Sequence, residues 1–279
     1  MHNLINELLL PFSFPFMQYA FLVLVLVSAM TALLSCFLVL KGWSLMGDAI
    51  SHSVLPGVVI AYVLSIPYVI GAFVAGITCA LATGFLKENS KIKEDTIMGV
   101  VFSGMFGLGL LLMTKVESGV HLDHILYGNV LGVTVVELIE TACIAMAVFC
   151  FVLFKGKDLL VYIFDSQHAQ AIGLPVGLLH YGLLCLLSLA IVGALKAVGM
   201  ILVIAMLIAP GSIAYLLTQK FSTMIVYAMS VSVGSALSGL YISFYIDSAP
   251  APTIVLILAL CFLVVFTYTT IRQRRIGTI

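Results

Sequence analysis

Residues 16–40 read FMQYAFLVLVLVSAMTALLSCFLVL, a run without one charged side chain. At the helical rise of about 1.5 Å per residue it reaches roughly 37 Å, enough to cross a hydrocarbon core of about 30 Å. Eight further apolar runs follow, at residues 43–65, 68–86, 96–114, 133–154, 176–195, 198–218, 222–246 and 253–271, divided by polar residues, glycine and proline. Nine spans of about 20 residues use roughly 190 positions and leave too little chain for a soluble domain. The predicted fold class is therefore all-α: a polytopic transmembrane helical bundle of eight or nine spans, residues 1–279 forming a single domain. The N-terminus lacks the basic stretch of a signal peptide, and its apolar run flows into a full-length span. Pro56, Gly57, Pro210 and Gly211 lie inside spans, where they predict kinks or unwound turns with backbone lining a cavity.

Composition agrees with the lipid bilayer as the solvent. Of 279 residues, 63% are hydrophobic, against roughly 45–50% in a soluble domain. Twelve basic and twelve acidic side chains cancel to a net charge of zero. That balance excludes a nucleic-acid binder, which needs a basic stripe, and a disordered acidic tail. Lys41, Lys87, Lys91, Lys93, Lys155, Lys157, Lys220, Arg272, Arg274 and Arg275 fall in alternate loops or at the C-terminus, while the opposite side holds only Lys115 and Lys196. The positive-inside rule then places the C-terminus in the cytoplasm and, with nine spans, the N-terminus outside. Cys36, Cys79, Cys143, Cys150, Cys185 and Cys261 all lie in apolar stretches without a Cys-x-x-Cys, and read as small packing residues.

Two inter-span segments are long. The cytoplasmic one, residues 155–175, reads KGKDLLVYIFDSQHAQAIGLP. Asp165 or Ser166 is placed to cap a short helix there, and Gly173 followed by Pro175 to end it. Ala169 and Ala171 sit in its middle, and His168 and His180 flank it as surface contacts. The external segment holds His121, Asp123 and His124, which fit either a solvated loop or an outer collection point for a metal. Glu137 and Glu140, one turn apart, fit either an acidic lining that attracts cations or an interfacial pair. Asp247 reads as a loop cap. Neither G-x-x-x-x-G-K-[ST] nor G-x-G-x-x-G occurs, so the chain is expected to hydrolyse no nucleotide by those routes.

Asp48 and His52 are the charges a membrane span should not contain. Four residues apart, they share one face of a helix. Counted from Lys41 as a continuous helix, His52 lies about 16 Å inside the membrane. An ionisable pair at such depth costs several kcal/mol unless it meets a partner or a water-filled path, so it reads as a functional site. Carboxylate and imidazole make a half-site for a divalent cation such as Mn, Fe or Zn. Two copies around a symmetric dimer axis would give four ligands. The same pair also fits a hydrogen bond that glues helices, or a proton relay in an ion-coupled secondary transporter.

The segment SLMGDAISHSVLPGV, residues 44–58, resembles the signature of the membrane permease subunits of bacterial manganese/iron/zinc ABC importers. HILYGNVLG, FDSQHAQAIGLPV and VGMILVIAMLIAPGSIAYLL extend the resemblance in order along the chain. It implies a type II ABC importer permease fold similar to that of the cobalamin permeases. It also implies a second permease subunit (an identical chain or a paralogue), a cytoplasmic ABC ATPase, and an extracytoplasmic metal-binding protein, in the bacterial inner membrane. It implies no permanently bound cofactor, with the metal ion as cargo and the manganese/iron branch favoured over zinc. The family's intramembrane ligands fall on Asp48 and His52. Its coupling helix to the ATPase falls on residues 166–173, with Asp165, Ser166, Ala169, Ala171 and Gly173.

Overall fold

In the computed structural model, which describes residues 10–43, 45–115 and 128–276, a long helix forms within each expected apolar run. The helices are α1 (Pro15–Lys41), α2 (Met46–Val63), α3 (Tyr68–Glu88), α4 (Glu94–Lys115), α5 (Val135–Phe164), a short α6 (Ser166–Ala171), α7 (Val176–Val198), α8 (Met200–Leu217), α9 (Phe221–Ile246) and α10 (Pro250–Ile276). Among the described residues, nine of these are long and apolar enough to cross a membrane. Helices dominate because lipid offers no water to backbone N–H and C=O groups, which must pair within each segment.

The first helix is the hub. Most of the apolar window of α1, 78%, is buried, against 11% for α10, so α1 forms the core and α10 the rim. It packs against α5, α8 and α9, while α10 covers α8 and α9. A second group, α2 with α3 and α4, is joined to the first through α7. Pro15 opens α1 at a position where its missing N–H costs nothing. Gly42 closes it with φ +77°, and its N–H donates to the Val39 carbonyl at 3.2 Å.

The prolines do not unwind their helices. Both α2 and α8 run continuously through Pro56 and Pro210. The neighbouring glycines line helix contacts rather than a cavity. Pro210 disturbs the local ladder, and the Gly211 N–H donates instead to the Ser35 hydroxyl of α1 at 2.9 Å. Gly57 of α2 and Gly71 of α3 touch so closely that a Cβ on either would overlap the other's carbonyl. Gly57→Leu should therefore cost about 3 kcal/mol or more, because backbone cannot yield as a side chain can. A thermal melt in detergent showing an unchanged Tm would contradict that contact.

The fifth span is longer than its sequence limits of 133–154. Thr134 opens α5 with a capping box: its hydroxyl accepts the Glu137 N–H at 3.3 Å, and the Glu137 carboxylate accepts the Thr134 N–H at 2.9 Å. The helix then passes straight through Lys155 and Lys157 to Phe164. Lys155 pairs with Asp158 at 3.1 Å, and Leu159, Tyr162 and Ile163 are buried. Those spacings continue the apolar face, so the charges mark the exit from lipid and not the end of the helix. The segment after α5 thus shrinks to residues 165–175. The cysteines divide: Cys36 and Cys79 are buried as expected, but Cys143, Cys150 and Cys185 lie on exposed helix faces. Asp247 caps α9 in the left-handed region at φ 54°, a conformation Asp tolerates better than most residues.

Candidate functional site

Asp48 and His52 come together on α2. The His52 Nε2 stands 3.4 Å from the Asp48 Oδ1, longer than a charge-assisted hydrogen bond of about 2.8 Å. Both side chains are partly exposed, at 28% and 31%. The opposite ring nitrogen of His52, Nδ1, is buried and has no hydrogen-bond partner among the described residues. The imidazole is held by aromatic faces of α4: Phe102 lies 5.9 Å away and Phe106 packs edge-on at 5.2 Å. These aromatics carried no distinguishing mark in so apolar a sequence.

The continuous-helix count from Lys41 does not hold. The helix is interrupted after Lys41 and restarts at Met46. His52 is therefore six residues, about 9 Å, from the start of its own helix. Asp48 lies in the first turn of α2. There the helix dipole favours a carboxylate by about 0.5 kcal/mol, which offsets part of the cost of placing it in an apolar surround.

One carboxylate and one imidazole would not by themselves complete a metal site. Among the described residues no group of three or more His, Cys, Asp or Glu side chains converges. The 3.4 Å separation is nevertheless what two donors show when each lies about 2.1 Å from one shared cation at roughly 110°. The pair could supply two donors to such an ion, and both side chains are partly exposed.

The other candidate residues separate by role. Glu137 is occupied by its capping box. Glu140 of α5 pairs with Lys196 of α7 at 3.0 Å, a part-exposed bridge worth at most about 1 kcal/mol. His121, Asp123 and His124 lie outside the described residues. Asp165 caps α6, its carboxylate accepting the His168 N–H at 2.8 Å. At the other end the Leu174 N–H donates to the Ala169 carbonyl and the Gly173 N–H to the Gln170 carbonyl, both at 3.0 Å. Gly173 takes φ +82° to allow this closure. Within α6, Ala169 is fully buried against the bundle, whereas Ser166 and Ala171 are exposed. His180 is no loose surface residue: its Nδ1 lies 2.8 Å from the Tyr162 hydroxyl, and its ring meets Trp43 edge-on at 5.3 Å.

Nine membrane-length helices among the described residues, a carboxylate–imidazole pair on one of them and a short capped helix beside the bundle are the makeup of a polytopic membrane protein. The family model of the ABC 3 transport family matches residues 13–269, and the chain belongs to that family. The chelated iron transport system membrane protein YfeD of Yersinia pestis is 57% identical over 270 residues, 97% of this chain and 90% of its own length. The manganese transport system membrane protein MntB of a Synechocystis species is 46% identical, over 91% of this chain and 83% of its own. Among solved structures, PsaBC from Streptococcus pneumoniae in complex with Fab superposes with a TM-score of 0.84 at 37% identity, covering 94% of this chain and 95% of its own. The fold is thus that of an ABC permease, all-α and polytopic.

Proposed function

We propose that this chain is the membrane-spanning subunit of an ATP-driven importer of a divalent transition metal, manganese or ferrous iron, and that Asp48 and His52 are the intramembrane ligands of that cargo. The carrying observation is the pair itself: a carboxylate and an imidazole 3.4 Å apart on one helix face, with the second imidazole nitrogen unpartnered among the described residues. Family membership and the iron and manganese relatives support the class of cargo. Imidazole with carboxylate suits both ions. A second permease copy, related by a twofold axis, brings a second pair and closes the coordination shell. Membership of an ABC family argues for a partner ATPase as the energy source, and against the ion-coupled relay.

In this reading the loops rich in Lys and Arg face the bacterial cytoplasm, and with them α6, which docks on the ATPase. A loaded metal-binding protein delivers the ion on the opposite face. ATP-driven movement of α6 is transmitted through α5 and α7 to the bundle, opening the site alternately to each side. Measuring cellular Mn, Fe and Zn with and without the gene tests the reading. Deletion should lower Mn or Fe several-fold under limitation and restore on complementation; unchanged contents of all three metals would refute it.

A further inference from the structure

Between the ends of α1 and α3, the side of α6 and the start of α7 lies an open cleft of about 480 Å³. Transport as described above makes no use of it. Lys41 and Lys87, each at the end of a membrane span, stand on its walls with His180; Ser166 and Gln170 of α6 form another side. The Lys41 ammonium rests 4.1 Å from the centre of the Tyr162 ring, which holds it at the cleft. The first turn of α7 opens on the same space at Gly177; the Val176 N–H is taken by the Leu174 carbonyl at 2.8 Å, and the positive end of the helix dipole favours an anion there.

A second, apolar crevice of about 170 Å³ lies one turn deeper between α3 and α7, lined by Ala80, Leu81, Leu184 and Cys185. Tyr181 lines both spaces. Cationic where the spans end and apolar further in, the two neighbouring spaces, with Tyr181 on the wall of both, together match the polarity of one phospholipid. Basic pockets between transmembrane helices at this level attract anionic headgroups. We propose that the two spaces together bind an anionic glycerophospholipid, its phosphate against Lys41, Lys87 and the start of α7, and one acyl chain along the α3/α7 crevice. Because α6 forms one wall, the lipid fastens that helix to α3 and α7. The importance of this for transport rests on the role of α6 proposed above; the binding itself does not.

Native mass spectrometry of the full chain purified with its ATPase tests the site, using equimolar dioleoylphosphatidylglycerol and dioleoylphosphatidylcholine. The wild type should retain the anionic lipid over the zwitterionic one by about fivefold or more. K41Q/K87Q should abolish the preference, and K87Q alone, which leaves the Lys41–Tyr162 contact intact, should reduce it. Cys185→Phe, at an exposed position, should lower retention of lipid without altering charge. Millimolar glycerol phosphate should not displace the lipid, since it has no chain to fill the crevice. Undiminished preference in K41Q/K87Q would overturn the proposal. So would full displacement by glycerol phosphate, which would make the cleft a site for free phosphate, or loss of the lipid whenever the ATPase is bound, which would make it a protein-docking surface. A chain that keeps the lipid preference but accumulates no metal would overturn the proposed function alone.

Discussion

Asp48→Ala and His52→Ala are each expected to reduce metal accumulation more than about a hundredfold, to the level of a strain lacking the gene. Even outer-shell partners of metal ligands cost about 10–100-fold when removed, and these side chains would touch the ion itself. In a twofold assembly each substitution removes two ligands at once, which sharpens the loss. Stability should change little. Asp48→Ala forfeits about 0.5 kcal/mol of dipole interaction in the first turn of α2. His52→Ala leaves space between Phe102 and Phe106, but His52 is partly exposed, so the gap lies at a surface. Asp48→Asn separates charge from shape: it keeps the packing and removes the anion, and should fail nearly as completely. The readout is metal uptake by cells together with co-purification of the ATPase. Full assembly without uptake is the expected result, and undiminished uptake in both alanine variants would sink the assignment.

The parts of the molecule most legible in the sequence are those set by the solvent. Apolar runs such as 16–40 announce spans because the bilayer leaves the backbone no other way to pair its polar groups. The Asp48/His52 spacing is equally plain, since i and i+4 share a helix face whatever surrounds them. What the sequence obscured were features decided by neighbours. Lys155 and Lys157 resemble a loop, yet α5 continues through them because Leu159, Tyr162 and Ile163 find a surface to bury against. Gly57 and Gly211 resemble hinge residues, yet they serve close helix contact with Gly71 and Ser35. Phe102 and Phe106 frame His52, but nothing in an apolar span of α4 distinguishes an aromatic facing an imidazole from one facing lipid.

Ala171→Trp is expected to abolish co-purification of the ATPase and transport together, while leaving the melting temperature of the permease unchanged. Helix α6 has only six residues, too few to persist by itself. It exists because Asp165 caps its start, because Leu174 and Gly173 close its end, and because Ala169 is buried beneath it. The two alanines, alike in sequence, therefore do opposite things. Ala169 seats the helix on its own chain, and Ala171 points outward. An indole at Ala171, an exposed position, projects into whatever groove receives the helix. Losing about 3 kcal/mol there by a clash weakens the complex more than a hundredfold. An indole at Ala169 acts from below: overpacking of about 1–3 kcal/mol lifts the helix and lowers the melting temperature as well. The pair of variants thus separates docking from folding. Equal loss of stability in both would mean that α6 is only a turn between α5 and α7. Retained ATPase and unimpaired transport in Ala171→Trp would remove the coupling role altogether.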